Sequence, residues 1–275
     1  MTGADQYCVF GNPISHSKSP EIHAAFAAQA GHHISYEPRL APLGGFGDAV
    51  RQFMAEGGLG ANVTVPFKLE ACALADTLTA RARAAGAVNT LAFREGAIIG
   101  DNTDGAGLVA DIVANAGVHI EGKTILLLGA GGAARGVLLP LLALHPSQLR
   151  IANRTRATAD ALAQQFSMPA SGDRVRACEF AELDGPFDII INATSASLSG
   201  AVPPLPPAVF GARTLALDMM YGKEPTVFLQ FAAQHGAQVR DGHGMLVEQA
   251  AEAFFVWRGV RPETGALLAH MRSKA

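Results

Sequence analysis

The chain has 275 residues, 49% of them hydrophobic and 16% charged, with a formal net charge of −3. That composition can bury a large core in one or two domains and excludes an intrinsically disordered chain. The slight acidity leaves no electrostatic footprint for nucleic acid, and Gly, Arg or Pro breaks the longest apolar runs well short of the ~20 residues that span a bilayer. The opening MTGADQYCVFGNP has no basic stretch leading into a long apolar segment. No signal peptide is therefore expected, and a cytoplasmic location is. Three scattered cysteines, Cys8, Cys72 and Cys178, form no CxxC pair and suit reduced thiols. The nine histidines show no metal-ligand spacing, so no metal site is expected.

Strand-like and helix-like segments alternate along the chain, which predicts an α/β architecture. Tyr7–Pro13 (YCVFGNP) reads as a strand closed by a turn. Ser19–Gly31 (SPEIHAAFAAQAG) reads as a helix with Ser19 at the N-cap, Pro20 at the first helical position and Gly31 beyond the end. ISYEPRLA and FGDAVRQFMAEGG form a second strand and helix. In NVTVPFKLEA, Val63, Val65 and Phe67 alternate with polar residues or proline, the period of a half-buried strand. Lys68 then stands where that strand gives way to a helix, either solvated or functional. From Thr124 onward the strands become continuous apolar runs (TILLL, LRIAN, DIIINA, TLALDM), as in a parallel sheet covered on both faces. The expected organisation is therefore a first α/β domain over residues 1–103 and a Rossmann-type parallel-sheet domain over 104–240. C-terminal helices over 241–275 would return to the first domain.

The clearest local signal is TILLLGAGGAARGVLLPLLAL. An apolar strand runs into Gly129-x-Gly131-x-x-Ala134 and then a helix, the context of a dinucleotide-binding turn. Gly129 permits the tight turn, Gly131 admits a pyrophosphate close to the backbone, and Ala134 allows helix and strand to pack closely. At the end of the next strand, where an acid would hold the ribose 2′-hydroxyl of NAD, the chain carries Asn153, Arg154, Thr155 and Arg156. A guanidinium pairs with a 2′-phosphate that an acid would repel, so NADP is favoured over NAD, a surface arginine pair being the alternative. Three polar clusters occupy predicted strand-to-helix junctions of the first domain: Asn12–His23, Ala87–Leu91 and Gly100–Gly105. Ser17 and Ser19 can bind an anion or simply cap a helix. Asn89 alone can be a turn residue, and Asp104 alone a helix cap.

Taken together, VFGNPISHSKSPEIHAAF, GANVTVPFK, AGAVNTL, GDNTDG, GAGGAARG, NRT, INATS and DGHGMLVEQAAEAF resemble the shikimate dehydrogenase family, in order and over essentially the whole chain. The resemblance implies reversible NADPH-dependent reduction of 3-dehydroshikimate to shikimate, in aromatic amino-acid biosynthesis. It makes Lys68 and Asp104 the catalytic pair and gives Ser17 and Ser19 the substrate carboxylate. Thr64, Asn89 and Gln249 would grip the carboxylate side and ring hydroxyls, with Tyr221 closing the carboxylate end. NADP would be held by Gly129, Ala130, Gly131, Gly132 and Ala133 together with Asn153, Arg154 and Thr155, while Met219 and Gly242 border the nicotinamide. The chemistry suits these residue types. Hydride delivery to a ketone builds negative charge on oxygen, and a lysine held by a carboxylate supplies a proton or a cation there.

The sequence departs from the family pattern at Thr158, where relatives place a second arginine, and at Ala196-Ser197, where a glycine is usual. Ala80 replaces an acid expected near the cofactor, and Glu248 adds a carboxylate expected close to the pocket. A quinate/shikimate dehydrogenase with relaxed cofactor use is the nearest alternative. A non-catalytic NADPH-binding regulator is a more distant one, since it would be expected to lose Lys68 or Asp104. The partners implied are a small-molecule substrate, no nucleic acid and no membrane, with the chain a monomer or a homodimer.

Overall fold

The computed structural model describes residues 3–167, 174–194, 196 and 200–274. It separates into two compact units, one of residues 1–108 and 246–270, the other of 109–245 and 271–275. Each is built on its own six-stranded sheet.

The first unit carries β1 (Asp5–Gly11), α1 (Ser19–Ala30), β2 (Ile34–Leu40), α2 (Phe46–Ala55), β3 (Gly58–Val63), α3 (Lys68–Leu74), β4 (Thr77–Leu78), α4 (Ala80–Ala85), β5 (Thr90–Arg94) and β6 (Ala97–Asp101). α5 (Asp104–Ala110) leads out of it. The sheet order is β2-β1-β3-β5-β6-β4, parallel except where β5 runs against both β3 and β6. A core of Phe10, Phe46, Phe53, Phe67, Val88 and Leu91 fills one side of this sheet.

Three local expectations are corrected. β3 stops at Val63, and Val65, expected inside a strand, is 69% exposed. Pro66 has no N–H to lend to a ladder, and Thr64 to Phe67 form a turn closed by Phe67 N–H on the Thr64 carbonyl. Ser19 is the first residue of α1 rather than its cap, which is Lys18 with no side-chain capping bond. The Ala87–Leu91 cluster lies between α4 and β5, a helix-to-strand junction. The reversal of β5 is the reason: a strand antiparallel to its neighbours begins where they end.

The second unit contains β7 (Thr124–Leu128), α6 (Gly132–Leu142), β8 (Gln148–Ala152), α7 (Arg156–Phe166), β9 (Val175–Cys178), β10 (Ile189–Asn192), β11 (Leu215–Asp218), α8 (Val227–Gln234) and β12 (Gln238–Arg240). All pairings are parallel, in the order β12-β11-β10-β7-β8-β9. That is the doubly wound order, with its switch point between β7 and β10. Residues 125–128 and 189–191 are fully buried, as strands covered on both faces should be. α9 (His243–Arg258) begins in this unit, and from Leu246 onward its residues belong to the first. There Trp257 Nε1 donates to the Leu91 carbonyl at 2.9 Å, and Arg258 pairs with Asp5 at 2.6 Å. α10 (Gly265–Lys274) follows. Among the described residues no helix is long and apolar enough to cross a membrane.

Candidate active site

At one end of the first unit's sheet the chain places several polar side chains close together. β3 and β6 finish there and β5 starts there, so Asn62, Thr90 and Asp101 lie abreast in the ladder. Lys68 opens α3 after the turn that follows β3, and Asp104 opens α5 after β6. Lys68 Nζ donates to Asp104 Oδ2 at 2.6 Å, with the two side chains 32% and 16% exposed. Backbone bonds hold the frame: Val88 N–H on the Lys68 carbonyl at 2.9 Å, and Asn89 N–H on the Asp101 carbonyl at 3.1 Å. The buried Asn89 amide donates to Asp104 Oδ1 at 2.8 Å, so each carboxylate oxygen of Asp104 has its own donor.

Gln249, on α9, reaches the same cluster. Its Nε2 is spent on the Leu246 carbonyl at 2.9 Å, which turns Oε1 toward Asn89 Nδ2 at 3.3 Å. Gly107 makes that approach possible. A Cβ there would lie 2.5 Å from the Gln249 backbone nitrogen, well inside van der Waals contact.

Ser17, Ser19 and Thr64 sit where β1 and β3, parallel neighbours, come to an end. Ser17 Oγ accepts the Ser19 N–H at 3.3 Å, and Thr64 N–H donates to the Phe10 carbonyl at 2.9 Å. The Tyr36 phenol donates to Asn62 Oδ1 at 2.7 Å. Tyr221 belongs to the second unit, 40% exposed, its ring 4.7 Å from that of His243.

The expectation that Glu248 adds a carboxylate to the pocket is corrected. Its buried side chain accepts from Arg261 at 2.9 Å and Thr264 at 2.5 Å, which ties it to the segment after α9. Ala80 is the first residue of α4, exposed and capped by Thr79.

In the second unit β7 turns at Gly129, whose φ of +101° a residue with a side chain rarely adopts. Ala130 is buried, Gly131 caps α6, and Gly131, Gly132 and Ala133 are exposed. A Cβ on Gly131 or Gly132 would meet nothing within 4 Å. The first-turn N–H groups of α6 lack helical acceptors by geometry and face open space, which suits a pyrophosphate. Past β8, Asn153 Nδ2 donates to the Thr155 carbonyl at 2.9 Å. Asn153, Arg154, Arg156, Glu179, Phe180 and Ala181 line a cavity of about 300 Å³.

The two arginines there differ. Arg156 is already bonded to Asp160 and to Glu182, each at 2.9 Å. Arg154 is exposed and has no ion-pair partner among the described residues. Met219 follows β11, and the 219–220 backbone is stitched to Gly242, whose N–H donates to the Met220 carbonyl at 3.1 Å. The Ala196-Ser197 departure falls partly outside the described residues, Ser197 not being among them.

Asn62, Thr90 and Thr103 lie within the motifs NVTVPFKLEA, AGAVNTL and GDNTDG but carry no assigned role there, and Tyr36 stands outside them. In the structure these residues join the cluster. Their signal was a polar residue inside an otherwise apolar strand or turn, which costs stability unless it is bonded.

Residues 9–91 match the model of the shikimate dehydrogenase substrate binding domain. Residues 110–199 match that of shikimate / quinate 5-dehydrogenase, and 242–272 that of the shikimate 5′-dehydrogenase C-terminal domain. The shikimate dehydrogenase (NADP(+)) of Herminiimonas arsenicoxydans is 63% identical over 273 residues, covering 99% of each chain.

The chain belongs to the shikimate dehydrogenase family.

Among solved structures, an Ael1 enzyme from Pseudomonas putida is similar with a TM-score of 0.93 and 48% identity, covering 97% of this chain and 98% of that one. Shikimate 5-dehydrogenase from Thermus thermophilus, in complex with NADP(H) and shikimate, has a TM-score of 0.85 and 31% identity, with 98% and 100% covered. Membership accounts for the pairing of a mixed-sheet unit with a doubly wound one in a single chain.

Proposed function

We propose that the chain catalyses the reversible, NADP-dependent interconversion of 3-dehydroshikimate and shikimate, with Lys68 and Asp104 handling the proton. The observation that carries the reading is the 2.6 Å Lys68–Asp104 pair, gathered with Asn89 and Gln249 at one edge of the first unit. The open first turn of α6 and Arg154, which has no ion-pair partner among the described residues, fit the cofactor's pyrophosphate and 2′-phosphate. Bound NADPH supplies the hydride.

The residues of the chain do the rest. As the substrate ketone becomes an alkoxide, Lys68 Nζ stabilises the charge on its oxygen and delivers the proton. Asp104 holds the ammonium in place, and in the reverse direction the substrate hydroxyl returns its proton to Lys68 Nζ, the same transfer run backwards. Asn89, Thr64 and Gln249 bind ring hydroxyls, while Ser17, Ser19 and Tyr221 receive the carboxylate. Gly129 to Ala133, Asn153 and Thr155 hold the cofactor phosphates and ribose, and Met219 and Gly242 border the nicotinamide. The thiols of Cys8, Cys72 and Cys178 are free, which suits the cytoplasm.

The test is absorbance at the reduced-nicotinamide band with shikimate and NADP, repeated with NAD and with quinate. Strong NADP reduction on shikimate alone is expected. Comparable rates with NAD or quinate would move the chain to the broader specificity. No reduction by protein that still binds NADP would overturn the reading.

A further inference from the structure

Donor and acceptor accounting orients every amide in the cluster. The Thr103 N–H donates to Asn89 Oδ1 at 2.8 Å, so the Asn89 Nδ2 end must be the one facing Asp104. Asn62 Nδ2 donates to the Asn89 carbonyl, which can only accept, at 3.2 Å, and to Thr90 Oγ1 at 3.1 Å. The Thr90 hydroxyl sends its proton to Asn89 Oδ1, an acceptor at 2.9 Å against 3.3 Å for the Thr103 hydroxyl. Asn62 Oδ1 in turn accepts from the Tyr36 phenol at 2.7 Å and from His23 Nε2 at 3.1 Å. His23 is wholly buried, and that burial, against the opposing pull of the Asn62 bond, lowers its pKa to about 3. It is therefore neutral, with its proton on Nε2. Every hydrogen bond from Tyr36 to Asn62, Thr90, Asn89 and Asp104 points the same way and ends on the carboxylate that holds Lys68. Bonds aligned head to tail polarise one another in a low-dielectric interior.

We infer that Thr90 and Asn62 are positioning residues for the reaction, fixing the Asn89 amide so that its N–H group aims Asp104 at Lys68. The run of bonds starts at the Tyr36 phenol. The inference rests on the Lys68–Asp104 reading. Neither Thr90 nor Asn62 touches the reacting atoms in it.

Thr90→Val keeps the shape of the side chain and removes its hydroxyl's bonds to Asn62, Asn89 and Thr103. The measurement is steady-state kinetics with shikimate and NADP, alongside the thermal midpoint. Thr90→Val is expected to lower kcat about tenfold, the loss of one charge-linked hydrogen bond, with KM for NADP unchanged. Thr90→Ser, which keeps the hydroxyl, should stay within about twofold of the parent in kcat. Should Thr90→Val fail to fold, Thr90→Ala removes the same hydroxyl without adding a methyl and carries the same expectation. A folded Thr90→Val or Thr90→Ala with parental kcat overturns the inference. So does a Thr90→Ser as slow as the valine variant, because that outcome assigns the effect to packing of the methyl. Lys68→Ala, measured in parallel, separates the two claims: if it retains parental turnover the catalytic reading itself fails.

Discussion

Replacing Arg154 by alanine is expected to weaken NADP binding about thirtyfold and to leave NAD binding unchanged. The magnitude follows from the geometry around β8. Two unit charges 4 Å apart in water interact by about 1 kcal/mol, and a phosphate monoester carries about 1.5 to 2 negative charges. Arg154 is exposed, so the value for water applies, and about 2 kcal/mol converts to that factor. Arg156, although two residues away, is committed to Asp160 and Glu182, and Arg156→Ala should cost no more than about threefold. Thr158 brings no charge. The assay is titration of both purified variants with NADPH and with NADH, followed by nicotinamide fluorescence at low and high ionic strength. The NADPH penalty should shrink in salt, since an exposed charge pair is screened. If Arg156→Ala costs as much as Arg154→Ala, phosphate wins Arg156 from its two carboxylates, and the assignment of selectivity to one arginine is wrong.

Lys68→Ala should cut turnover about a thousandfold while NADP affinity stays within a factor of about two, because Lys68 belongs to the unit that lacks the glycine-rich turn. A parallel loss of cofactor binding would remove Lys68 from the chemistry. Gly107→Ala places a Cβ 2.5 Å from the Gln249 nitrogen, so α5 and α9 must separate. A stability loss of about 1 to 3 kcal/mol and a raised KM for shikimate are expected, read from urea unfolding and kinetics. Parental values of both would show that the helices can part without cost. His23, with a pKa lowered to about 3, makes the fold acid-sensitive. Below the ordinary histidine value of about 6.5 the unfolded chain binds a proton that the native chain does not, so stability falls as pH falls, by about 1.4 kcal/mol per unit. Unfolding at pH 7 and pH 5 should differ by about 2 kcal/mol in the parent and by much less in His23→Phe. Equal differences in the two would refute the burial argument.

Much of this protein is legible locally. The apolar run Thr124–Leu128, the turn at Gly129 and the helix from Gly132 follow from near-neighbour constraints: strand period, a positive φ and a helix start. Continuous apolar strands also announced the parallel sheet, because both faces of such a strand must be covered. Lys68, Asn89, Asp104 and Gln249 were named from their motifs, but nothing in the sequence put Asn89 Nδ2 2.8 Å from Asp104 Oδ1. That distance depends on β5 running against β3 and β6, and sequence patterning does not report strand direction. The same reversal misled the reading of Ala87–Leu91, and the tight turn at Pro66 ended a strand that alternation alone would have continued through Phe67. Ser19 and Glu248 were misread because a polar residue has several possible partners. Only packing decides that Lys18 rather than Ser19 stands at the N-cap of α1 and that Glu248 bonds Arg261 and Thr264.

The sequence by itself determined the α/β class and the nucleotide-binding turn, since each rests on patterns a few residues apart; the candidate site residues came from the resemblance to the family. The tertiary structure alone decided which groups meet, that Arg156 is committed to Asp160 and Glu182, and which way the hydrogen bonds run toward Asp104. Those depend on residues far apart in sequence, such as Arg156 and Glu182 or Asn62 and Thr90, brought into register by sheet pairing and burial.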